Sequence, residues 1–490
     1  MGVYATQIDY TGLTTIYRKI LRKMKYLLYY SLDNKFVNDQ IAAQGDGKNV
    51  VSVVDGVAWT RDTEKAYYRY APNVPEEVTT YYVTIHYKDI FGETIANDDI
   101  VPVEVYNGKG TNYCVVSKTI EGFIINQSSD TILVTGNCEY EFEYLSGDLK
   151  PEETPLTFTI TGDGVIRWKT SNTSIAKDIQ YKKNDGNWAS ITSNTGNSAP
   201  SISVAAGDVV QFRGNNTSYA TSTSYNTFSG TTCQFKVYGN IMSLIDSTGF
   251  TTATTLASTH TFTRLFIYCT GLTSSKNLIL PATTLTSNCY QSMFSNCTSL
   301  TQAPALPITT MAINCYQYMF AGCTSLTQAP ELPATTLTSN CYQSMFSNCT
   351  SLTAAPALPA TTLAGTCYES MFSNCTSLTT APSILPATTL IGSCYSNMFR
   401  NCTSLTEAPE LPATTLTENC YNYMFQGCTN LNYIKCLATD ISASYCLNNW
   451  VNGVQTTSGT FIKSPDITES TWGRNSNGIP LNWTVQDATS

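Results

Sequence analysis

The sequence predicts a multidomain chain with a mainly β N-terminal half of β-sandwich-like modules, followed by a capped solenoid of stacked repeats. Three observations carry that expectation. Cysteines recur at 289, 315, 341, 367, 394, 420 and 446, a period of 26 residues with one step of 27. Residues 80–146 alternate apolar and polar side chains in the manner of half-buried strands. Six short apolar runs between 151 and 242 are separated by Gly, Asn and Ser turns. A chain of 490 residues has room for several domains.

The repeat is the strongest signal. Its unit reads TSLTxAPxLPATTLxxxCYxxMFxNC, with a second cysteine column at 297, 323, 349, 375, 402 and 428 and a degenerate first copy near Phe266. The period lies inside the range of about 20–29 residues typical of leucine-rich repeats, so 262–446 is read as a leucine-rich-repeat solenoid of about seven units. In each unit Leu300, Ala303 and Ala305 have strand-like spacing. Pro304 and Pro307 donate no N–H, so that strand must be short or irregular. Leu285, Cys289, Met293 and Cys297 stand four apart, which predicts one face of a helix capped by Thr284 or Thr286. One unit cannot bury its own apolar face, so neighbours must stack and the ends must be sealed. Residues 447–490, with Trp450, Phe461, Trp472 and Trp483, are read as the C-terminal cap. The cysteine columns are expected as buried thiols, with cross-repeat disulfides or metal as the rival readings.

The N-terminal half divides into three parts. Residues 1–75 form an anchoring domain with a basic amphipathic helix over 13–31, whose apolar positions are Leu13, Tyr17, Ile20, Met24 and Leu27. Arg18, Lys19, Arg22, Lys23 and Lys25 on its polar face are the candidate anchoring residues. Within this part VVSVVDGVAW is a strand candidate. Residues 76–148 form a small β module in which His86 is expected as a strand side chain without a partner. Residues 149–246 form a sandwich module with Trp168 and Trp188 as core or edge anchors.

Composition narrows the function. Net charge is −9, a poor start for nucleic-acid binding. No run approaches about 18 consecutive apolar residues, so no membrane span is expected. Only His86 and His260 are available for imidazole chemistry, and the carboxylates of the repeats do not recur in column. No enzyme, cofactor or metal site is therefore expected. From 262 to 446 only ten residues are charged. The exposed repeat positions vary instead: Gln302, Gln328, Ala354, Thr380, Glu407 and Asn432 in one column, Glu331 and Glu410 in another. These, with Trp472 and Trp483 in the cap, are the candidate ligand-facing residues. Such a neutral ridged face suits polysaccharide or protein, and an inert spacer would show the same pattern.

The unit also resembles the leucine-rich repeats of bacterial surface proteins of the BspA-like type, through CTSL at Cys297–Leu300, the turn at Pro307, and Met293–Phe294. The double Ala-Pro and the additional cysteine depart from that pattern. DVVQFRGNN (208–216), TFSGTTCQFKVYGNIMSLI (227–245) and NGIPLNW look like what accompanies such repeats in gut Bacteroidales proteins. Residues 81–144 are loosely similar to mucin-binding-protein-like β modules. The resemblance implies adhesion to a host surface or to mucus glycans. The N-terminus lacks a secretory signal pattern. That favours, as an expectation, a fibre or decoration protein of a phage infecting such bacteria, mounted on virion structural proteins by its N-terminal region, with a homotrimer and a single chain both left open as its assembly. The alternatives are a bacterial cell-surface adhesin, a spacer without ligand and, last, a glycan-degrading enzyme.

Overall fold

The computed structural model describes residues 78–489, apart from 90–93, 107–109, 122, 126–128, 147–149 and 455–456, and before them the course of three strands. The anchoring helix expected over 13–31, with Arg18, Lys19, Arg22, Lys23 and Lys25, lies outside the described residues. The chain divides into two compact units, Met1–Asp148 and Leu149–Ser490.

In the first unit, β1 (Val50–Val54), β2 (Val57–Asp62) and β3 (Tyr67–Pro72) pair antiparallel in sequence order. The single strand expected from VVSVVDGVAW is thus two strands, paired at Val54 and Val57. A four-stranded sheet follows. Its centre is β4 (Val78–Asp89), antiparallel to β5 (Thr94–Tyr106) and parallel to β9 (Cys138–Ser146), which is flanked by β7 (Phe123–Ile125). β6 (Thr111–Val116) and β8 (Ser129–Val134) form a separate antiparallel pair. Alternation decides which face is inward: Val83, Ile85 and Tyr87 of β4 are buried with Val103, Val105, Val115, Val134, Phe142 and Tyr144.

The second unit opens with a six-stranded sheet. Its order is β14 (Ala189–Thr192), β13 (Asp178–Lys183), β16 (Val209–Arg213), β10 (Leu156–Gly162), β18 (Gln234–Asn240) and β19 (Leu272–Ile279). Two short pairs accompany it, β11 (Gly164–Arg167) with β15 (Ser201–Val204), and β12 (Lys169–Thr170) with β17 (Asn226–Thr227). Trp168 is buried and its indole N–H donates to the Lys177 carbonyl at 2.9 Å. Trp188 is half-buried under the Arg213 guanidinium, 4.1 Å from the ring centre. The last strand, β19, belongs to the first repeat and runs parallel to β18. Sheet and repeats therefore share one continuous core, in which Phe158 and Phe228 lie 5.9 and 5.6 Å from Phe266.

Beyond β19 the repeats stack rung on rung. Phe266, Phe294, Phe320, Phe346, Phe372, Phe399 and Phe425 form a column with ring centres 5.4–5.8 Å apart and nearly parallel planes. Tyr290, Tyr316, Tyr342, Tyr368, Tyr395 and Tyr421 form a second. Centres at this distance in parallel planes are the offset arrangement that aromatic rings prefer. Trp450 ends both columns, 6.3 Å from Tyr421 and 6.0 Å from Phe425. The prolines keep the apolar approach from pairing fully, and neighbouring rungs meet there through single parallel bridges such as Gln328 with Ala354 and Ala354 with Thr380.

The segment expected to be helical is not a helix. It is a run of consecutive turns in which every fourth residue is left-handed: Asn288, Ser292 and Asn296 in one rung, with φ of 61°, 54° and 59°. Between these, alternate N–H groups serve different partners. Cys289, Gln291, Met293 and Cys297 donate three residues back within the rung. Asn288, Tyr290, Ser292, Phe294 and Asn296 donate to Ile313, Cys315, Gln317, Met319 and Ala321 of the next rung. A helix would have kept every N–H for itself. Thr286 caps nothing: its carbonyl accepts from Cys289 and its hydroxyl donates to the Ser258 carbonyl.

The C-terminal segment continues the parallel stacking. β20 (Tyr433–Cys436), β21 (Thr460–Lys463) and β22 (Thr484–Asp487) pair in register. The one-turn helix α1 (Glu469–Trp472) lies between the last two strands, with Thr468 accepting from the Thr471 N–H at its start.

Candidate functional site

Stacking sorts each repeat position into a column, and one column faces outward along the bridged edge. Gln302, Gln328, Ala354, Thr380 and Glu407 are all exposed there. The bridges Ser274–Gln302, Gln328–Ala354, Ala354–Thr380 and Glu407–Tyr433 tie successive rungs together at these positions. The column therefore ends in Tyr433 rather than in Asn432, which is also exposed. Each rung supplies one side chain, and the backbone beneath it is held by its neighbours, so the edge is a fixed row of varying chemistry.

Glu331 is exposed two positions past its Ala-Pro start, as expected. Glu410 is only half-buried, because Lys435 of the following rung approaches its carboxylate at 2.9 Å. Gln302 is engaged by the Ser274 hydroxyl at 3.0 Å. The two tryptophans do not join this edge. Trp472 is packed against Trp450 at 5.9 Å and edge-on to Phe461 at 5.0 Å. Trp483 is 2% exposed. A Cβ on Gly459 would lie 2.4 Å from its ring, so the indole rests directly on backbone. The expectation that both rings stand exposed to a ligand is corrected: both are buried, and the C-terminal segment uses their area to close its own core, the larger gain for a wide apolar ring.

The turn side carries a ladder that sequence reasoning missed. Gln291, Gln317 and Gln343 hand hydrogen bonds along the stack, and the Gln343 amide donates to Glu369 at 2.7 Å. Asn314 donates to Asn288 at 2.8 Å and Asn401 to Asn374 at 2.8 Å. The signal was present in the alignment of identical amides one period apart, which makes each a neighbour of its own copy.

The described cysteines are free thiols. Cys297, Cys323, Cys349, Cys375, Cys402 and Cys428 each donate S–H to the carbonyl of a Phe in the preceding rung, at 3.0–3.2 Å. Burial pushes the Cys297 and Cys375 thiols up to about 12, which keeps them protonated and poor nucleophiles. Among the described residues no group of three or more His, Cys, Asp and Glu side chains is placed to hold a metal ion. No described helix is long and apolar enough to cross a membrane.

His86, expected to stand alone, has Asp98 of β5 at 2.9 Å and Glu139 of β9 at 3.7 Å. Both partners come from neighbouring strands, and only the register brings them together.

Compared with known proteins, residues 263–379 and 364–462 match the family described as BspA type leucine rich repeat region, in six copies. No curated protein and no solved structure matches the chain. The chain is thus a largely β-stranded, multidomain protein whose C-terminal repeat region, within 263–462, is similar to the BspA type leucine-rich repeats.

Proposed function

We propose that the protein is a non-catalytic adhesin of a bacterial cell surface, whose repeats form a solenoid that presents its bridged edge to a glycan or protein. The observation that carries this reading is the exposed column Gln302, Gln328, Ala354, Thr380 and Glu407, varied in chemistry but fixed in spacing, on repeats of the BspA type. A rigid row lets several weak contacts form without ordering a loop, which lowers the entropic cost of each. The neutrality of the edge suits a ligand read by hydrogen bonds and apolar contact rather than by charge. A virion fibre would use the same edge, but the repeat match favours the cell-surface reading.

Binding of the purified full chain to immobilised mucin and to host-cell glycoprotein tests the proposal. The wild type should bind saturably. Replacement of the central column with Gln328→Lys, Ala354→Lys and Thr380→Lys should weaken binding by about tenfold or more while leaving the melting temperature unchanged. A wild type that binds neither surface would identify the stack as a spacer.

A further inference from the structure

Where the last rung meets the C-terminal segment, the molecule has a cleft of about 550 Å³, lined by Tyr445, Leu447 and Asn448 on one side and Trp472, Asn475 and Asn477 on the other. We propose that this cleft is a subsite for one residue of a neutral saccharide. The inference rests on the adhesin reading for its biological sense but on different residues for its chemistry.

Three features point to this ligand. The first is Tyr445. In the equivalent position the other rungs carry His260, Asn288, Asn314, Asn340, Thr366, Ser393 and Asn419, all left-handed. Tyr445 adopts the same conformation, φ 55°, yet is 67% exposed. A bulky aromatic side chain gains least from this conformation, and exposure denies it compensating burial. Tyr268, Tyr318 and Tyr423 share that conformation elsewhere in the repeats, and what sets Tyr445 apart is its place beside the cleft. An exposed ring at the mouth of a cleft offers a flat apolar face to the C–H surface of a sugar.

The second feature is the pair of carboxamides. Asn475 Oδ1 accepts from the Asn477 N–H at 2.7 Å, and Asn477 Oδ1 accepts from the Asn449 N–H at 2.7 Å. With each oxygen committed, the orientation of both amides is set, and neither NH2 group has an acceptor among the described residues. The third is Trp472, 3% exposed, whose indole Nε1–H is buried without an acceptor among the described residues. A buried donor left unpaired is costly, and a small movement of the cleft wall that admitted a ligand oxygen would relieve it. No charged side chain lines the cleft. Donors without charge, beside an aromatic face, match the ring oxygens, hydroxyls and acetamido carbonyl of an uncharged sugar better than a phosphate or carboxylate.

The test uses the full chain and four free sugars, N-acetylglucosamine, galactose, glucose and mannose, followed through its six tryptophan indole N–H resonances. At least one sugar should move the Trp472 resonance saturably, the resonance being assigned by its loss in Trp472→Phe. Tyr445→Asn restores the residue type of the other rungs. It should raise the melting temperature while weakening the sugar by about tenfold or more. The double variant Asn475→Ala with Asn477→Ala should weaken it similarly and remain folded. The three lysine substitutions on the bridged edge should leave this titration unchanged, so loss of edge binding and loss of cleft binding are read separately. If no sugar in the panel moves the Trp472 resonance, or if Tyr445→Asn binds as the wild type does, the proposal is overturned.

Discussion

The four-stranded sheet around Val83 and the stack around Phe346 bury their cores by different rules. In the sheet, each inward side chain has a different set of neighbours. Tyr87 alone meets Phe142, Tyr144, the Asp99 carboxylate and the Lys118 ammonium. In the stack, each side chain meets its own copy above and below. The sheet tolerates charge at its margins, where Lys118 pairs with Asp99 at 2.8 Å and Lys88 with Glu141 at 3.0 Å. The stack buries neutral polar groups instead, thiols and phenols, in unbroken columns. Periodicity in sequence is thus converted into cooperativity along one dimension.

This contrast has its largest expected consequence at alkaline pH. Twelve buried thiols occupy the two columns from Cys289 to Cys428, and burial raises their pKa, to about 12 at Cys289, Cys297 and Cys428. A folded pKa above the unfolded one means that stability is complete below the unfolded value, near 9, and falls as pH rises toward the folded one. Each thiol that ionises on unfolding adds its own loss in that window, so the two columns act together. Melting of the repeats, followed by circular dichroism, should therefore collapse between pH 9 and about 11. The sheet, in which burial also raises the Tyr87, Tyr140 and Tyr144 hydroxyls, adds a sensitivity at the acid end. The Lys118 ammonium, and then the Tyr87 hydroxyl, hold the Asp99 carboxyl below its usual range, so its contribution is present above that range and lost as pH falls. Repeats that melt unchanged up to pH 11 would break the comparison.

A second way to sharpen it is Phe346→Ala. Phe346 is fully buried between Phe320 at 5.7 Å and Phe372 at 5.6 Å, and its removal opens a cavity in contact with two rungs. A loss of about 3–5 kcal/mol is expected by denaturant unfolding. A loss below about 1 kcal/mol would mean that the column relaxes around the gap and does not carry the stack.

The smallest effect has the opposite sign. Tyr395 is buried between Tyr368 and Tyr421, and its hydroxyl has no hydrogen-bond partner among the described residues. Tyr395→Phe keeps the ring and removes a buried group that water once satisfied. It should stabilise by about 1 kcal/mol. A destabilised variant would show that the phenol has a role in the column that its surroundings do not reveal.

The stack also shows why one reading of the sequence went astray. Cys289, Met293 and Cys297 are four apart, and that spacing puts them on one face of a helix. A run of four-residue turns does the same. The two are distinguished at the intervening positions, where Asn288, Ser292 and Asn296, then Asn340, Ser344 and Asn348, stand at the left-handed turns of two rungs, although Tyr318 and Tyr423 hold the middle turn in two others. Asn, Ser and Gly tolerate that conformation at least cost, and a helix has no use for them every fourth residue. The same physics hid the roles of the tryptophans. Trp472 and Trp483 are legible as large apolar groups in a terminal segment, but nothing in their spacing says whether the rings cover the last rung or face solvent. His86 likewise found its carboxylates only through the pairing of β4 with β5 and β9.

What the sequence determined by itself is the repeat: its period, the residues that fill its columns, the thiols held among apolar neighbours, and the poverty of groups for acid–base chemistry. These follow from composition and spacing, because a residue repeated at a constant interval must meet its own copy when units stack. Tertiary structure alone decided the course of the backbone between the columns, the joining of the first repeat to the six-stranded sheet, and the gathering of Tyr445, Trp472, Asn475 and Asn477 around one cleft. Each of those depends on hydrogen bonds and contacts between segments distant in the chain, and no local preference encodes them.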